Sequence, residues 1–144
     1  DRFHQYLKNE EESKINDIDT YFDFAKKVEK LKEINLEFIN NSVNEGKTIY
    51  GFGAPVKGNT LLNYFGVTNK QLNYLVEKNP LRNGLYSPGS HIEIIMEDDV
   101  LHEPNIYYVL AWNFKNEILA NNVKRINNGI DFYFPINPKV SFLI

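Results

Sequence analysis

No cysteine occurs among the 144 residues. That absence excludes a disulfide-stapled scaffold and any zinc site built on thiolates. Long apolar runs are missing too, and nothing approaches the roughly 18 residues that a membrane span needs. The stretch from Asp1 to Asn16 is polar and charged, unlike a secretory signal. Positive charge is not in excess. With 16 Lys and Arg against 19 Asp and Glu the net charge is −3, so no basic face for nucleic acid is expected. The three histidines, His4, His91 and His102, have no partners at metal-ligand spacing, so no metal site is expected. No Ser/His/Asp or Cys/His set is readable, and no catalytic residue is assigned. What is left is one globular domain, expected in the cytoplasm. Ten Phe and nine Tyr supply ample core material. A start at Asp1 rather than Met suggests a fragment or a processed chain.

Residues 1–18 are charged with scattered apolar positions and read as a leader or linker, with room for one short helix. A long helix is predicted from Thr20 to Asn44. Tyr21, Phe24, Ala25, Val28, Leu31 and Phe38 form an apolar stripe at helical spacing, Thr20 serves as N-cap, and Gly46 stops it. "KTIYGFG" reads as a strand that breaks into a glycine turn, and "GNTLLNYF" as a helix ending at Gly66. "LNYLVEKNP" and "HIEII" read as strands separated by the turn chemistry of "LRNGLYSPGS". "NIYYVLAW" is a continuous apolar run, as in a strand covered on both faces. "NFKNEILANNVKRINNG" reads as one helix with Phe114, Ile118, Val123 and Ile126 facing inward. "IDFYFPI" places Ile130, Phe132, Phe134 and Ile136 on one strand face, and "KVSFLI" reads as a last strand. Strands alternating with helices predict an α/β fold: a small, Rossmann-like, three-layer domain over residues 19–144, with a mainly parallel sheet and a long N-terminal helix.

In such a sheet ligands bind beyond the carboxyl ends of the strands. Three stretches are expected there: Gly51 to Asn59 after the first strand, Glu77-Lys78-Asn79 after the second, and Trp112-Asn113 after the "NIYYVLAW" strand. Gly51 and Gly53 permit close backbone approach, and the helix that follows offers unpaired N–H groups with a partial positive charge. An anion fits such a helix start. Lys57 adds a full charge and Asn59 an amide. The bland alternatives are glycines used for strand-to-helix packing, a solvated Lys57, a His91 that ties down its own turn, a core Trp112 and an Asn113 that caps the next helix. Nucleotide motifs fit poorly. Lys57-Gly58-Asn59-Thr60 reverses the order of a triphosphate loop. A dinucleotide fingerprint would want its third glycine at 56, where Val stands, although Glu77 lies 24 residues past Gly53, near the place of a ribose-binding acid. Tyr50 occupies the position where an adenosylmethionine loop usually has an acid.

In order and spacing, "YGFGAPVKGNTLLNYFGV", "VEKNPLRNGLYSPGSHIEI", "YYVLAWNFKNEI" and "FYFPINPKV" resemble the C-terminal domain of adenosylmethionine-dependent nucleotide-sugar C-methyltransferases. The resemblance covers about Thr20 to Ile144. It implies an enzyme with a cysteine-rich zinc segment, a central methyl-donor domain and this Rossmann-like C-terminal domain, and a nucleotide-diphosphate sugar held between the last two. Neither the zinc segment nor the S-adenosyl-L-methionine site is expected in this chain, whose own part is substrate binding; alone it is expected to be inactive. Matching positions give the expected substrate contacts: Gly53, Ala54, Pro55, Lys57, Gly58, Asn59, Glu77, Asn79, His91, Trp112 and Asn113. Glu77 and Lys78 replace the more usual Asp and Arg, and Glu93 replaces a common proline. The expected partners are the nucleotide sugar and the upstream methyl-donor domain of the same protein, with no nucleic acid and no membrane. Two other readings stay open, a small dinucleotide-binding oxidoreductase domain and a non-catalytic interaction module.

Overall fold

The computed structural model describes residues 1–136. Its strands are β1 (Ile49–Phe52), β2 (Tyr74–Glu77), β3 (Glu93–Met96), β4 (Ile106–Val109) and β5 (Asp131–Tyr133). They form a five-stranded sheet in the order β3-β2-β1-β4-β5, and every pairing is parallel. β4 is buried at all four positions, as its unbroken apolar run requires. The predicted "KVSFLI" strand lies outside the described residues. The chain divides into two compact units, residues 1–33 and the residues from 34 onward.

In the first unit, α1 (Arg2–Glu12) is capped by Asp1, whose carboxylate accepts the Phe3 N–H at 3.2 Å. The next helix, α2 (Ile18–Asn44), starts two residues before the predicted Thr20. Asp17 supplies the terminal side-chain acceptor, to the Asp19 N–H at 3.1 Å, while the Thr20 hydroxyl donates to the Lys14 carbonyl. The predicted stripe is not buried here: Tyr21 and Phe24 are 55% and 65% exposed. Periodicity correctly marked a helix, but not a covered face.

In the second unit, the end of α2 buries Asn35, Ile39 and Ser42. The Tyr108 hydroxyl donates to Asn35 at 2.7 Å, and Phe38 stacks on Tyr133 with centroids 3.8 Å apart. The same sheet face receives α3 (Val56–Phe65), which ends at Gly66 in the left-handed region. A Cβ added to Gly58 would lie 2.7 Å from the Leu110 Cβ, so glycine sets how closely α3 approaches β4. Gly58→Ala is expected to cost about 1–2 kcal/mol by overpacking, read as a lowered midpoint in chemical denaturation.

On the other face Phe52, Val76, Tyr107, Val109 and Phe132 pack with Ile118 of α4 (Lys115–Asn121). The single helix predicted from Asn113 is instead a 3₁₀ turn (Trp112–Phe114), α4 and α5 (Val123–Asn127). The break is at Asn122, whose side-chain amide donates to the Ile118 carbonyl at 2.8 Å, a bond that competes with helix continuation. Phe114 and Val123, expected inside, are 58% and 39% exposed. In β5 and just after it Phe132, Tyr133 and Phe134 are all buried, and the end of α2 covers Tyr133 through Phe38. Between β2 and β3 the crossover has no α-helix, only a 3₁₀ turn (Pro80–Arg82) and a Tyr86–Glu93 bridge.

Arg125 of α5 ties this face to the β3–β4 connection. It donates to Glu97 at 2.6 Å and to Glu103 at 2.8 Å, and the Tyr107 hydroxyl donates to Glu103 at 2.6 Å. Burial first, and the Glu103 bond second, hold the Tyr107 phenol well above its usual range. Arg125→Ala leaves two partly buried carboxylates facing each other, and about 2 kcal/mol of stability should be lost in urea unfolding. Among the described residues no helix is long and apolar enough to cross a membrane.

Candidate functional site

β1 lies between β2 and β4, and the chain leaves it toward β2 and returns later on the other side as β4. The topological switch point is therefore the crevice beyond the carboxyl ends of β1 and β4. The β1 end fixes it. Gly53 has φ +83° and donates to the Val76 carbonyl at 2.7 Å, and a Cβ there would come within 3.2 Å of the Ala111 Cβ. Ala54 donates to a Glu77 carboxylate oxygen at 3.1 Å. Pro55 is the N-cap of α3, has no N–H and makes no side-chain cap, and the Asn59 N–H closes the first helical bond to its carbonyl. The N–H groups of Val56, Lys57 and Gly58 therefore find no acceptor among the described residues. Val56 is 80% exposed, so the start of the helix is open to solvent. Gly58 is buried against Leu110, so the accessible donors are those of Val56 and Lys57.

The Lys57 ammonium lies 4.9 Å from the centroid of the Trp112 ring and 6.0 Å from that of Phe114. It makes no ion pair among the described residues. An aromatic face holds a cation weakly and leaves its charge uncompensated. Trp112 is half-buried and packs on the β4 core, so its ring fixes where the ammonium rests. Asn113 is exposed in the same 3₁₀ turn and does not cap α4.

Glu77 organises the neighbouring strand end. One oxygen accepts the Ala54 N–H and Arg82 at 3.0 Å, and the other accepts the N–H groups of Lys78 at 2.8 Å and Asn79 at 3.3 Å. Four donors saturate a carboxylate. Burial alone would raise the Glu77 carboxyl, but the N–H groups of Lys78, Ala54 and Asn79 and the Arg82 charge together hold it below its ordinary value. Asn79 accepts the Leu81 N–H at 3.1 Å and so caps the Pro80–Arg82 turn. That cap turns Arg82 back onto Glu77 and onto the Ala54 carbonyl.

The structure thus gathers Gly53, Ala54, Pro55, Lys57, Gly58, Asn59, Glu77, Asn79, Trp112 and Asn113 at one edge of the sheet. His91 does not join them. It immediately precedes Ile92 and β3, whose first residue is in register with the first residue of β2, so it sits at the opposite edge, exposed, with φ +54°. Arg82 is the residue that sequence reasoning missed. Its signal was the Asn79-Pro80 pair, a cap followed by a helix-starting proline, which aims the third residue of the turn back at the strand end. Among the described residues no group of three or more acidic or histidine side chains stands close enough to hold a metal ion.

The model of the C-methyltransferase C-terminal domain family matches residues 1–137. The C-methyltransferase NovU of Streptomyces niveus is 33% identical over 138 residues, which is 94% of this chain and 33% of that protein. The chain thus spans about a third of the length of the curated relative it matches. It belongs to the C-methyltransferase C-terminal domain family.

Proposed function

We propose that this family member is the substrate-side domain of an adenosylmethionine-dependent sugar C-methyltransferase, and that it positions a nucleotide-diphosphate sugar for methyl transfer to carbon in the cytoplasm. The observation that carries the reading is the pairing of two N–H groups, on Val56 and Lys57, with an ammonium group, none of which has an acceptor or carboxylate partner among the described residues, all at the switch point. A helix start attracts an anion by its partial charge and supplies directed donors, and the lysine adds a full charge. A diphosphate presents oxygens to both at once. The sugar would then lie beyond the strand ends, facing the methyl-donor domain of the intact protein. Adenosylmethionine, held outside this chain, would supply the methyl group there. The part played by this chain is orientation, which lowers the barrier by holding the reacting carbon in place.

The residues do not fit S-adenosyl-L-methionine or a dinucleotide. Either would need a free acid at a strand end for its ribose hydroxyls, and Glu77 has both oxygens committed to four donors within the chain. On this reading Glu77 and Asn79 shape the loop from behind, and Gly53 and Gly58 set its backbone path. Ala54, Pro55, Lys57 and Asn59 line the ligand side. Trp112 holds Lys57 in place.

Calorimetric titration with a dTDP-linked deoxysugar, NADH and adenosylmethionine separates the possibilities. Saturable binding of the dTDP-sugar alone is the expected result, accompanied by a change in fluorescence of Trp112, the only tryptophan in the chain. Binding of NADH in its place would favour an oxidoreductase domain.

A further inference from the structure

A cavity of about 360 Å³ opens beside the start of α3, on the β2–β3 side of the loop. Leu75 and Ile94 contribute from the sheet, Pro55 and Val56 from the loop and helix start, and Asn59 and Arg82 bring the polar groups used below. From this lining we infer that the cavity receives the nucleobase of the nucleotide, an assignment that rests on the phosphate reading above and adds which part of the ligand goes where. The volume is within the range of small-molecule sites.

The argument is one of polarity. A pyranose placed here would turn several hydroxyls against Leu75, Ile94 and Pro55, and each hydroxyl left without a partner is costly. A heterocyclic base is different: its flat faces are apolar and tolerate such walls, and only its edge requires hydrogen bonds. The cavity has edge-reading groups with unused capacity. The Asn59 side-chain oxygen is buried with no hydrogen-bond partner among the described residues. A turn of that amide about χ2 toward the cavity lets it gain the bond it lacks. Arg82 uses only one terminal nitrogen, on Glu77 and Ala54, and its other N–H groups make no hydrogen bond among the described residues. An amide that both donates and accepts, beside a guanidinium that only donates, matches the mixed edge of a base. Val56 and Asn59 lie on the same first turn of α3 as the open N–H groups, so a base in the cavity leaves its 5′-phosphate at the helix start.

The test is methyl and amide NMR of the chain with uridine 5′-monophosphate, ribose 5-phosphate and inorganic pyrophosphate as probes. Uridine monophosphate is expected to shift the Leu75 and Ile94 methyl signals by ring current. It should also bind about tenfold or more tightly than ribose 5-phosphate. Asn59→Leu keeps the side-chain volume and removes the amide, and it should abolish that advantage while leaving the pyrophosphate shifts of the Val56 and Lys57 amides unchanged. Ring-current shifts at Trp112 instead, or equal affinity for the two monophosphates, would overturn the base assignment while leaving the phosphate seat in place. Methyl shifts with uridine monophosphate but none of those amides moved by pyrophosphate would uphold the base site and overturn the seat. Silence with every probe would overturn both.

Discussion

Glu77→Gln is expected to destabilise the protein by about 3 kcal/mol and to weaken nucleotide-sugar binding at the same time. The carboxylate accepts four donors, and hydrogen bonds to a charged group are each worth about 1.5–3 kcal/mol. An amide in its place offers one accepting oxygen and turns an NH₂ toward groups that can only donate. Two of the four donors would then lose their acceptor, and the Arg82 charge would lose its counter-charge. The pH dependence gives the signature. Because the folded carboxyl titrates below its ordinary value of 4.5, its contribution is complete above that value and is lost as the pH falls through the lowered one. Urea unfolding at pH 7 should show the full gap between wild type and variant, and at pH 3 the gap should narrow. A gap that is unchanged in acid would mean that the ionised carboxylate is not what holds the loop.

Lys57→Ala should leave the fold nearly intact and still lower affinity for a dTDP-sugar by roughly 10–100-fold, the scale of one charge-assisted contact. Among the described residues the ammonium meets only the faces of Trp112 and Phe114, so its loss should cost less than about 1 kcal/mol of stability. Calorimetry supplies the affinity and thermal melting supplies the stability. Lys57→Arg should retain part of the binding, and the wild-type affinity should fall with added salt. Equal losses of affinity and stability in Lys57→Ala would point to a structural role for the lysine.

The sheet was legible in the sequence because its strands carry the signal physically. A run such as Ile106–Val109, buried on both faces, has no other economical explanation. The glycine loop was legible for a related reason: Gly53 needs its positive φ, and Gly58 needs its missing side chain. Contacts with partners distant in sequence were not readable. What covers Tyr133 was not readable, because Phe38, which stacks on it, lies far back in the chain. The helix after β4 looked continuous because apolar spacing does not record the bond from the Asn122 side chain to Ile118. At the site, the residue types announced donors and acids but not who uses them. The sequence offers Glu77 as an acid at a strand end but does not show the four N–H groups of its own chain that bond to it. It offers Arg82 as a turn residue but does not show that the Asn79-capped turn brings it onto Glu77.

An amide-resolved titration of the ¹⁵N-labelled chain with inorganic pyrophosphate reaches the central claim most directly. The N–H resonances of Val56 and Lys57 should move together and saturably, and those of Gly46 and Gly66, at the ends of other turns, should stay where they are. If the Val56 and Lys57 signals are still while shifts gather on the exposed lysines of α2, the start of α3 is not a phosphate seat, and the role assigned to this domain goes with it.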